Sequence, residues 1–460
     1  TARIARVALV APIDKPYSYV VPDELTERVK PGSRLRVEFG RGRRLVTGFC
    51  LEVSEGPWDS SLRAIVSLLD DPPLLTPTLL KLGQWIARYY FAHLGRTLEL
   101  MTPAAAKRRA GWKKTRVVRL NDNNRAVGDL KSEKQRRVLD SLAASPNPME
   151  LTALCEAAVC SPAIIRSLAT RGVVVIESIL RPPSTPTQDR QRHEPNFTLS
   201  DDQQSAIDQI VPCVRDGGFC VPVLFGVTGS GKTEVYVAAI RKAIELGRQA
   251  IFLVPEIALT TQTASRLSER FDRVAILHSG LSETRRSQIW SLIARGDVDV
   301  IIGARSAIFA PCPNLGLIVV DEEAESSYKS QAAPRYHARD VAVVRGQFEN
   351  IPVILGSATP SLETWRNVQD RKHYQLIRLP TRVRGLPMPE LHLVDMHDEH
   401  AARPGVHLLS REMEARLKET LDKSEQAVLL LNRRGYAGFL HCAKCRTVIT
   451  CPKCDVHMVF

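Results

Sequence analysis

Eight consecutive residues, Gly226-Val227-Thr228-Gly229-Ser230-Gly231-Lys232-Thr233, carry the clearest chemistry in the chain. Their spacing is G-x-x-x-x-G-K-T, in which glycines let backbone N–H groups converge on a phosphate at a helix N-terminus. Lys232 is placed to reach the β- and γ-phosphates of a nucleotide, and Thr233 to take a magnesium position. The apolar run Val221 to Phe225 supplies the strand that such a loop follows, which disfavours an accidental glycine-rich turn. A second run, Leu317-Ile318-Val319-Val320, ends in Asp321 and Glu322. An acid closing a strand is commonplace, but beside an intact phosphate loop Asp321 would hold the magnesium shell and Glu322 would orient or deprotonate the attacking water.

Bringing these groups together requires a parallel sheet. Beyond Phe197 short apolar runs recur at Val221 to Phe225, Ala250 to Val254, Val274 to Leu277, Val298 to Ile302, Leu315 to Val320 and Ile351 to Leu355. Each is followed by polar or helical sequence, the pattern of buried strands in an α/β lobe whose ligands sit at the carboxyl ends. A further run, Ala427 to Leu431, is expected to start another sheet. Nearer the N-terminus, apolar residues alternate in Arg34 to Phe39 and in Leu45 to Val53, joined by Gly40-Arg41-Gly42-Arg43, which predicts a hairpin in a small β domain. Leu79, Leu82, Trp85, Ile86, Tyr89 and Tyr90 are spaced for one face of a helix. The basic cluster Lys107, Arg108, Arg109, Lys113, Lys114, Arg116 and Arg119 around Trp112 reads as a linker, either solvated or in contact with phosphate. Three short helical patterns between Ser132 and Thr170, followed by Gly172 and Val173-Val174-Val175-Ile176, have the outline of a winged-helix unit.

The division that follows is a β-rich domain over 1–105, a basic linker with a winged-helix domain over 106–180, and a linker over 181–196. An α/β ATP-binding lobe over 197–380, the start of a second lobe over 381–440 and a cysteine segment over 441–460 complete it. In 460 residues, 63 Lys and Arg stand against 50 Asp and Glu, a net charge of +13, so the natural partner is a polyanion, with nucleic acid ahead of a membrane surface. No apolar run approaches the length of about 18 residues that spans a bilayer, and Val7 to Val10 is too short for a signal peptide, so a cytoplasmic protein is expected. Six of ten cysteines are scattered; Cys442, Cys445, Cys451 and Cys454 form two C-x-x-C pairs. Such pairs point to a metal, and four thiolates suit tetrahedral zinc, although the five intervening residues are tight for one closed site.

The motif series resembles the superfamily 2 helicases, and within them the primosomal replication-restart helicases. It runs through Gly226 to Thr233 with Glu234-Val235-Tyr236, Pro255 to Thr260, Leu277-His278-Ser279-Gly280 and Ile302 to Ala307. It continues through Asp321-Glu322-Glu323-Ala324, Pro334 to Asp340, Gly356-Ser357-Ala358-Thr359-Pro360 and Asn432-Arg433-Arg434-Gly435. The resemblance implies that Gln203 touches adenine and that Ser357 to Thr359 couple hydrolysis to lobe movement. Tyr328 to Arg339 looks like the family's aromatic-rich loop, with Tyr328, Tyr336 and His337 stacking on bases and Lys329, Arg335 and Arg339 meeting phosphates. Composition alone would equally allow an ordinary surface loop. Tyr17, Gly40 and Arg63 fall at positions of the family's pocket for a nascent 3′ end, with a half-buried core role as the other reading of Tyr17.

Four departures stand out. Ser18 replaces the usual acid of that pocket, Ala324 replaces a His in the acidic motif, and the later cysteines that complete the family's two zinc sites do not occur. A Gln-x-x-Gly-Arg-x-Gly-Arg series of the second lobe is also missing, so the chain reads as stopping within that lobe and as a poor motor by itself. What the resemblance implies is an ATP-dependent 3′-to-5′ DNA helicase using ATP, Mg²⁺ and Zn²⁺, acting as a monomer on forked and single-stranded DNA. Its implied protein partners are primosome proteins, single-stranded DNA-binding protein and the replicative helicase or its loader, with no membrane. A fork-binding assembly platform with an inactive motor is the alternative, and a small-molecule kinase is disfavoured by the basic balance.

Overall fold

Five antiparallel strands open the chain: β1 (Ala2–Leu9), β2 (Tyr17–Val20), β3 (Arg34–Phe39), β4 (Arg44–Gly56) and β5 (Ile65–Leu68), in the order β2-β1-β4-β3-β5. The computed structural model describes residues 2–57, 61–103, 113–121, 132–143, 149–181, 198–256, 267–385, 387–403, 407–430, 447–452 and 454. β3 and β4 pair from Arg34↔Phe49 to Phe39↔Arg44, so the hairpin turns at Gly40 to Arg43 as its spacing predicts. Val7, Leu9, Tyr19, Leu35 and Val37 fill the inner face. Arg34 is buried with them, and its guanidinium makes two bonds of 2.8 and 2.9 Å to Asp70.

α1 (Pro77–Tyr89) starts where Thr76 accepts the Leu79 N–H and Pro77 presets the first turn. It buries Leu79, Leu82 and Ile86, in keeping with the 3.6 period. α2 (Leu94–Leu100) lies against α1 and β1. The next region departs from expectation. Lys113, Lys114, Arg116 and Arg119 do not lie in a linker but in β6 (Lys113–Leu120). α3 (Glu133–Ala143), β7 (Met149–Glu150), α4 (Leu151–Ala157), α5 (Pro162–Thr170) and β8 (Val174–Arg181) follow, with an antiparallel sheet ordered β7-β6-β8. The physical reason is Val118, fully buried in the three-helix core, which pins the basic strand there, with Val117 buried beside it in the chain. Lys107, Arg108, Arg109, Trp112 and residues 182–197 lie outside the described residues.

The α/β lobe is a wholly parallel sheet. Its first elements are α6 (Asp201–Asp216), β9 (Val221–Gly226), α7 (Lys232–Glu245), β10 (Gln249–Leu253), β11 (Val274–Leu277) and α8 (Glu283–Ala294). β12 (Val300–Gly303), β13 (Leu315–Val320), α9 (Ala338–Glu349), β14 (Val353–Ser357), α10 (Leu362–Asp370) and β15 (Tyr374–Leu379) complete it. The strand order is β11-β12-β10-β13-β14-β9-β15. β15 was not anticipated, because its sequence YQLIRL, although it buries Ile377 and Leu379, is interrupted by the exposed Gln375 and Arg378 and so shows no continuous apolar run. β9 lies between β14 and β15, and β13 between β10 and β14, which sets the phosphate loop and the acids at one end of neighbouring strands. After β15 the chain returns to the loop, where the Val383 N–H donates to the Gly229 carbonyl at 3.0 Å. The first unit therefore runs to 386, past the expected boundary at 380.

The second unit, 387–460, contains α11 (Met396–Ala402) and α12 (Arg411–Asp422). The expected strand from Ala427 is absent among the described residues: 427–430 have no ladder partner, and Val428 and Leu430 are exposed. No single helix among the described residues is long and apolar enough to cross a membrane.

Candidate nucleotide site and its adjoining loop

β9 is buried at nearly every position, so its carboxyl end is a fixed platform for the loop that follows. Gly229 and Gly231 take φ of 84° and 76°, the left-handed region open to glycine, and Gly231 caps α7. A Cβ on Gly231 would lie 2.2 Å from Gln203 Nε2, and one on Gly226 would lie 2.6 Å from Ser230 Oγ. Ser230 Oγ is buried with no hydrogen-bond partner. Such a cradle, shaped by backbone and holding an unsatisfied hydroxyl, fits a nucleotide phosphate. Lys232 Nζ donates to the Gly226 carbonyl at 3.1 Å and stands 3.5 Å from Glu322 Oε1. Gln203 belongs to the capping box of α6 with Ser200, and its Nε2 donates to the Ser230 carbonyl at 3.0 Å. The amide expected to read adenine thus braces the phosphate loop in this state.

Asp321 and Glu322 follow β13. Glu322 sits at φ 46°, a left-handed conformation that a non-glycine residue adopts only when its surroundings impose it. Its Oε2 accepts from Ser357 Oγ at 3.4 Å, and Ser357 Oγ also accepts the Thr359 N–H at 3.0 Å. Asp321 Oδ1 accepts from the Tyr236 hydroxyl at 2.9 Å, and its carbonyl from the Tyr328 hydroxyl at 2.6 Å. Burial, and next the Glu322 charge, push the Asp321 carboxyl up to about 6, while the Tyr236 bond and Lys232 pull it back. Were Asp321 to hold magnesium as its position suggests, the metal would bind the ionised form and have to displace any proton. Magnesium-dependent nucleotide binding is therefore expected at full strength above about pH 6, weakening toward roughly tenfold per pH unit below it. Mg²⁺ titrations of bound fluorescent ATP analogue across that range check this; a flat profile would remove Asp321 from the metal shell.

The segment from Tyr328 to Arg339 folds back on the acids. Lys329 bridges His337, the Ser330 N–H donates to the Tyr336 carbonyl at 2.8 Å, and Arg305 Nη1 donates to the Lys329 carbonyl at 3.1 Å. Tyr328 and Tyr336 are 1% and 2% exposed, so neither presents a face to a base in this conformation, contrary to expectation. Tyr328 is committed to Asp321, and Tyr336 sits edge-on to Phe309, 5.2 Å between centroids. Arg339 is also buried and does not reach solvent to meet phosphate. Arg335 is exposed, and His337 is half-buried, its pKa lowered by burial and then by Arg339. The Lys329 ammonium lies 5.0 Å from the Tyr90 ring centroid, and the Tyr90 hydroxyl accepts the His337 N–H at 3.1 Å.

In the N-terminal sheet, Tyr17, Gly40 and Arg63 come together. Arg63 Nη1 donates to the Gly40 carbonyl at 3.0 Å, and Tyr17, 39% exposed, packs edge-on to Phe39, itself next to Gly40. A Cβ on Gly40 would meet no atom within 4 Å, so the backbone of this exposed turn is open to approach. Cys442 and Cys445 lie outside the described residues; Cys451 is half-buried and Cys454 exposed. Among the described residues no cluster of three or more metal-ligating side chains forms.

Residues 6–103 match the family model of the 3′DNA-binding domain (3′BD), and residues 200–368 that of the DEAD/DEAH box helicase. The replication restart protein PriA of Bacillus subtilis is 35% identical over 97% of this chain and 64% of its own length. The chain belongs to the PriA family. PriA of Chlamydia muridarum is 37% identical over 99% of this chain and 62% of its own length, and PriA of Haemophilus influenzae 35% over 98% and 62%. The chain thus spans less than two thirds of the length of these PriA relatives. A solved structure of RecG bound to a three-way DNA junction overlays 42% of this chain and 25% of that one, at 23% identity and TM-score 0.33, too slight an overlap to bear on function.

Two residues around the PriA-type acidic motif stand in the motif series without a role assigned from sequence. Tyr236 is fully buried, and a Cβ on Gly356 would lie 1.6 Å from its hydroxyl oxygen, so that glycine makes the room in which Tyr236 reaches Asp321. Glu323 is also fully buried, where an isolated carboxylate is rarely found. Tyr236 lies four residues after Lys232, one helical turn on, and that spacing is the signal that would have found it.

Proposed function

We propose that the chain is the ATP-dependent 3′-to-5′ DNA helicase portion of a replication-restart protein, which recognises stalled or abandoned forks and promotes primosome assembly and reloading of the replicative helicase. The observation that supports this best is the convergence of Lys232, Asp321 and Glu322 at one end of the sheet, in the same unit as the cluster of Tyr17, Gly40 and Arg63. In this reading ATP supplies the phosphoryl group and Mg²⁺ the divalent charge that neutralises its oxygens. Lys232 would leave Glu322 for the phosphates, Thr233 and Asp321 would hold the metal, and Glu322, released, would orient the attacking water. Gln203 turns from the phosphate loop to adenine. Arg335 and His337 face single-stranded DNA, and Tyr328 and Tyr336 reach bases only after the loop opens. Cytoplasmic location, a monomeric state, zinc on Cys442, Cys445, Cys451 and Cys454, and primosome proteins, single-stranded DNA-binding protein and the helicase loader as partners belong to the same reading.

DNA-stimulated phosphate release on forked substrates tests it. Fork binding without any stimulated turnover would favour the assembly-platform alternative. The pocket has its own test. Tyr17→Ala together with Arg63→Ala removes a stacking ring and a phosphate contact, and is expected to weaken binding to forks with a free 3′ leading-strand end by about tenfold or more. Binding to plain duplex should stay near the parental value in anisotropy titrations. Equal losses on both substrates would reduce the pocket to general electrostatics.

A further inference from the structure

Glu323 has a set of partners that its neighbours in the acidic motif do not. Its Oε1 accepts the Ser361 N–H at 2.7 Å, and its Oε2 accepts from Arg339 Nη1 at 3.1 Å and Thr364 Oγ1 at 2.9 Å, with Ser361 Oγ at 3.1 Å. Arg339 Nη1 reaches Ser361 Oγ as well, at 2.6 Å, and its Nε reaches Asp340 at 2.9 Å. The Glu323 N–H donates to the Gly356 carbonyl at 3.0 Å. One buried carboxylate therefore ties three segments: the acidic turn after β13, the end of the aromatic-rich loop where α9 begins, and the turn after β14 that opens α10.

A merely structural filler would not need charge here, since apolar side chains of similar volume commonly replace a buried ion pair without loss of stability. Charge with every oxygen satisfied gives direction instead, because a shift of either partner leaves the other uncompensated in a low-dielectric interior. Arg339 lies two residues beyond His337, whose N–H is held by Tyr90, and four beyond the exposed Arg335. Glu323 adjoins Glu322, whose left-handed backbone puts its carboxylate between Lys232 and Ser357. Displacement of the loop would pull on Arg339, and through Glu323 would shift the Glu322 carboxylate relative to the phosphate loop.

We infer that the Arg339–Glu323 pair is the joint through which DNA on the loop acts on the catalytic carboxylates, both being positioning residues. This rests on the helicase reading above and adds to it the contact that carries the coupling. Because coupling between two sites is reciprocal, it is measurable without turnover, as the change DNA makes in nucleotide affinity. The experiment titrates a fluorescent ATP analogue with Mg²⁺ into the whole chain, with and without oligothymidylate. For the parent, DNA is expected to shift analogue affinity by about fivefold or more. The neutral pair Glu323→Gln with Arg339→Met leaves no buried charge unpaired; it should bind analogue and oligothymidylate separately much as the parent does, with the shift reduced to about unity. Arg339→Lys keeps the charge but cannot span Glu323, Ser361 and Asp340 together, so an intermediate shift is expected, and it serves should the double variant fail to fold. An undiminished shift in either folded variant would overturn the joint while leaving the helicase reading intact. A parent that binds no analogue, or whose affinity ignores DNA, would overturn the helicase reading itself and the joint with it.

Discussion

Lys232→Ala is expected to lose nearly all ATP-dependent activity while DNA binding survives. The ammonium is nearly enclosed, its side chain 10% exposed, between the Gly226 carbonyl and the Glu322 carboxylate. Removing it takes away the cation placed to meet charge developing on the transferred phosphoryl group, a loss of about 10² or more in turnover. It also leaves Glu322 uncompensated beside the path of an entering triphosphate, so nucleotide affinity should drop as well. The N-terminal pocket is built from other elements and keeps its contacts. Analogue binding and DNA-stimulated phosphate release, set against fork binding by anisotropy, check the split. Parental turnover in the variant would sink the assignment of the phosphate loop.

Asp70→Ala is expected to destabilise the N-terminal sheet far more than Arg34→Met, although both break the same ion pair. The two side chains are 2% and 7% exposed. Burial raises the Asp70 carboxyl from its ordinary range, with Arg34 pulling it back. Left alone, Asp70 can take up a proton and become neutral; Arg34 cannot give one up. The unpaired guanidinium should cost about 3–5 kcal/mol. The unpaired carboxyl should cost less, roughly 1–3 kcal/mol for its unmet hydrogen bonds. The sign with pH follows. In Arg34→Met the folded-state pKa of Asp70 lies above its unfolded value, so that variant is most stable at low pH and loses stability as pH rises through the folded pKa. The gap between the variants should therefore be widest in acid. Hydrogen exchange of the β1, β3 and β4 amides in urea reports this domain separately from the rest; equal losses at every pH would contradict the argument.

Much of the lobe was legible because its strands are buried on both faces and read as apolar runs, and because the phosphate loop's glycines have no substitute at φ near 80°. β15 escaped because Gln375 and Arg378 break YQLIRL into a pattern that is neither a continuous apolar run nor a regular alternation. β6 escaped because its basic residues outweigh the two valines that anchor it. At the site, residue type named Lys232, Asp321 and Glu322 correctly as neighbours, since strand ends converge. It did not give the facing of aromatic rings: Tyr328 and Tyr336 read as base-stackers, yet one hydroxyl is spent on the Asp321 carbonyl and the other ring is packed on Phe309. Nor does a sequence show that Glu323 and Arg339, sixteen positions apart, meet below the surface.

The space at Gly356 constrains how this sequence can change over time. A Cβ there would stand 1.6 Å from the Tyr236 hydroxyl oxygen and 2.7 Å from the ring carbon that bears it. Trading Tyr236 for phenylalanine removes the first clash and keeps the second, so alanine at 356 becomes tolerable only after position 236 has shrunk further. Any such smaller residue gives up the bond to Asp321. The order of substitutions is thereby fixed, the intermediate is a weakened site, and the two positions should drift only together, or not at all, for as long as the acid between them is under selection.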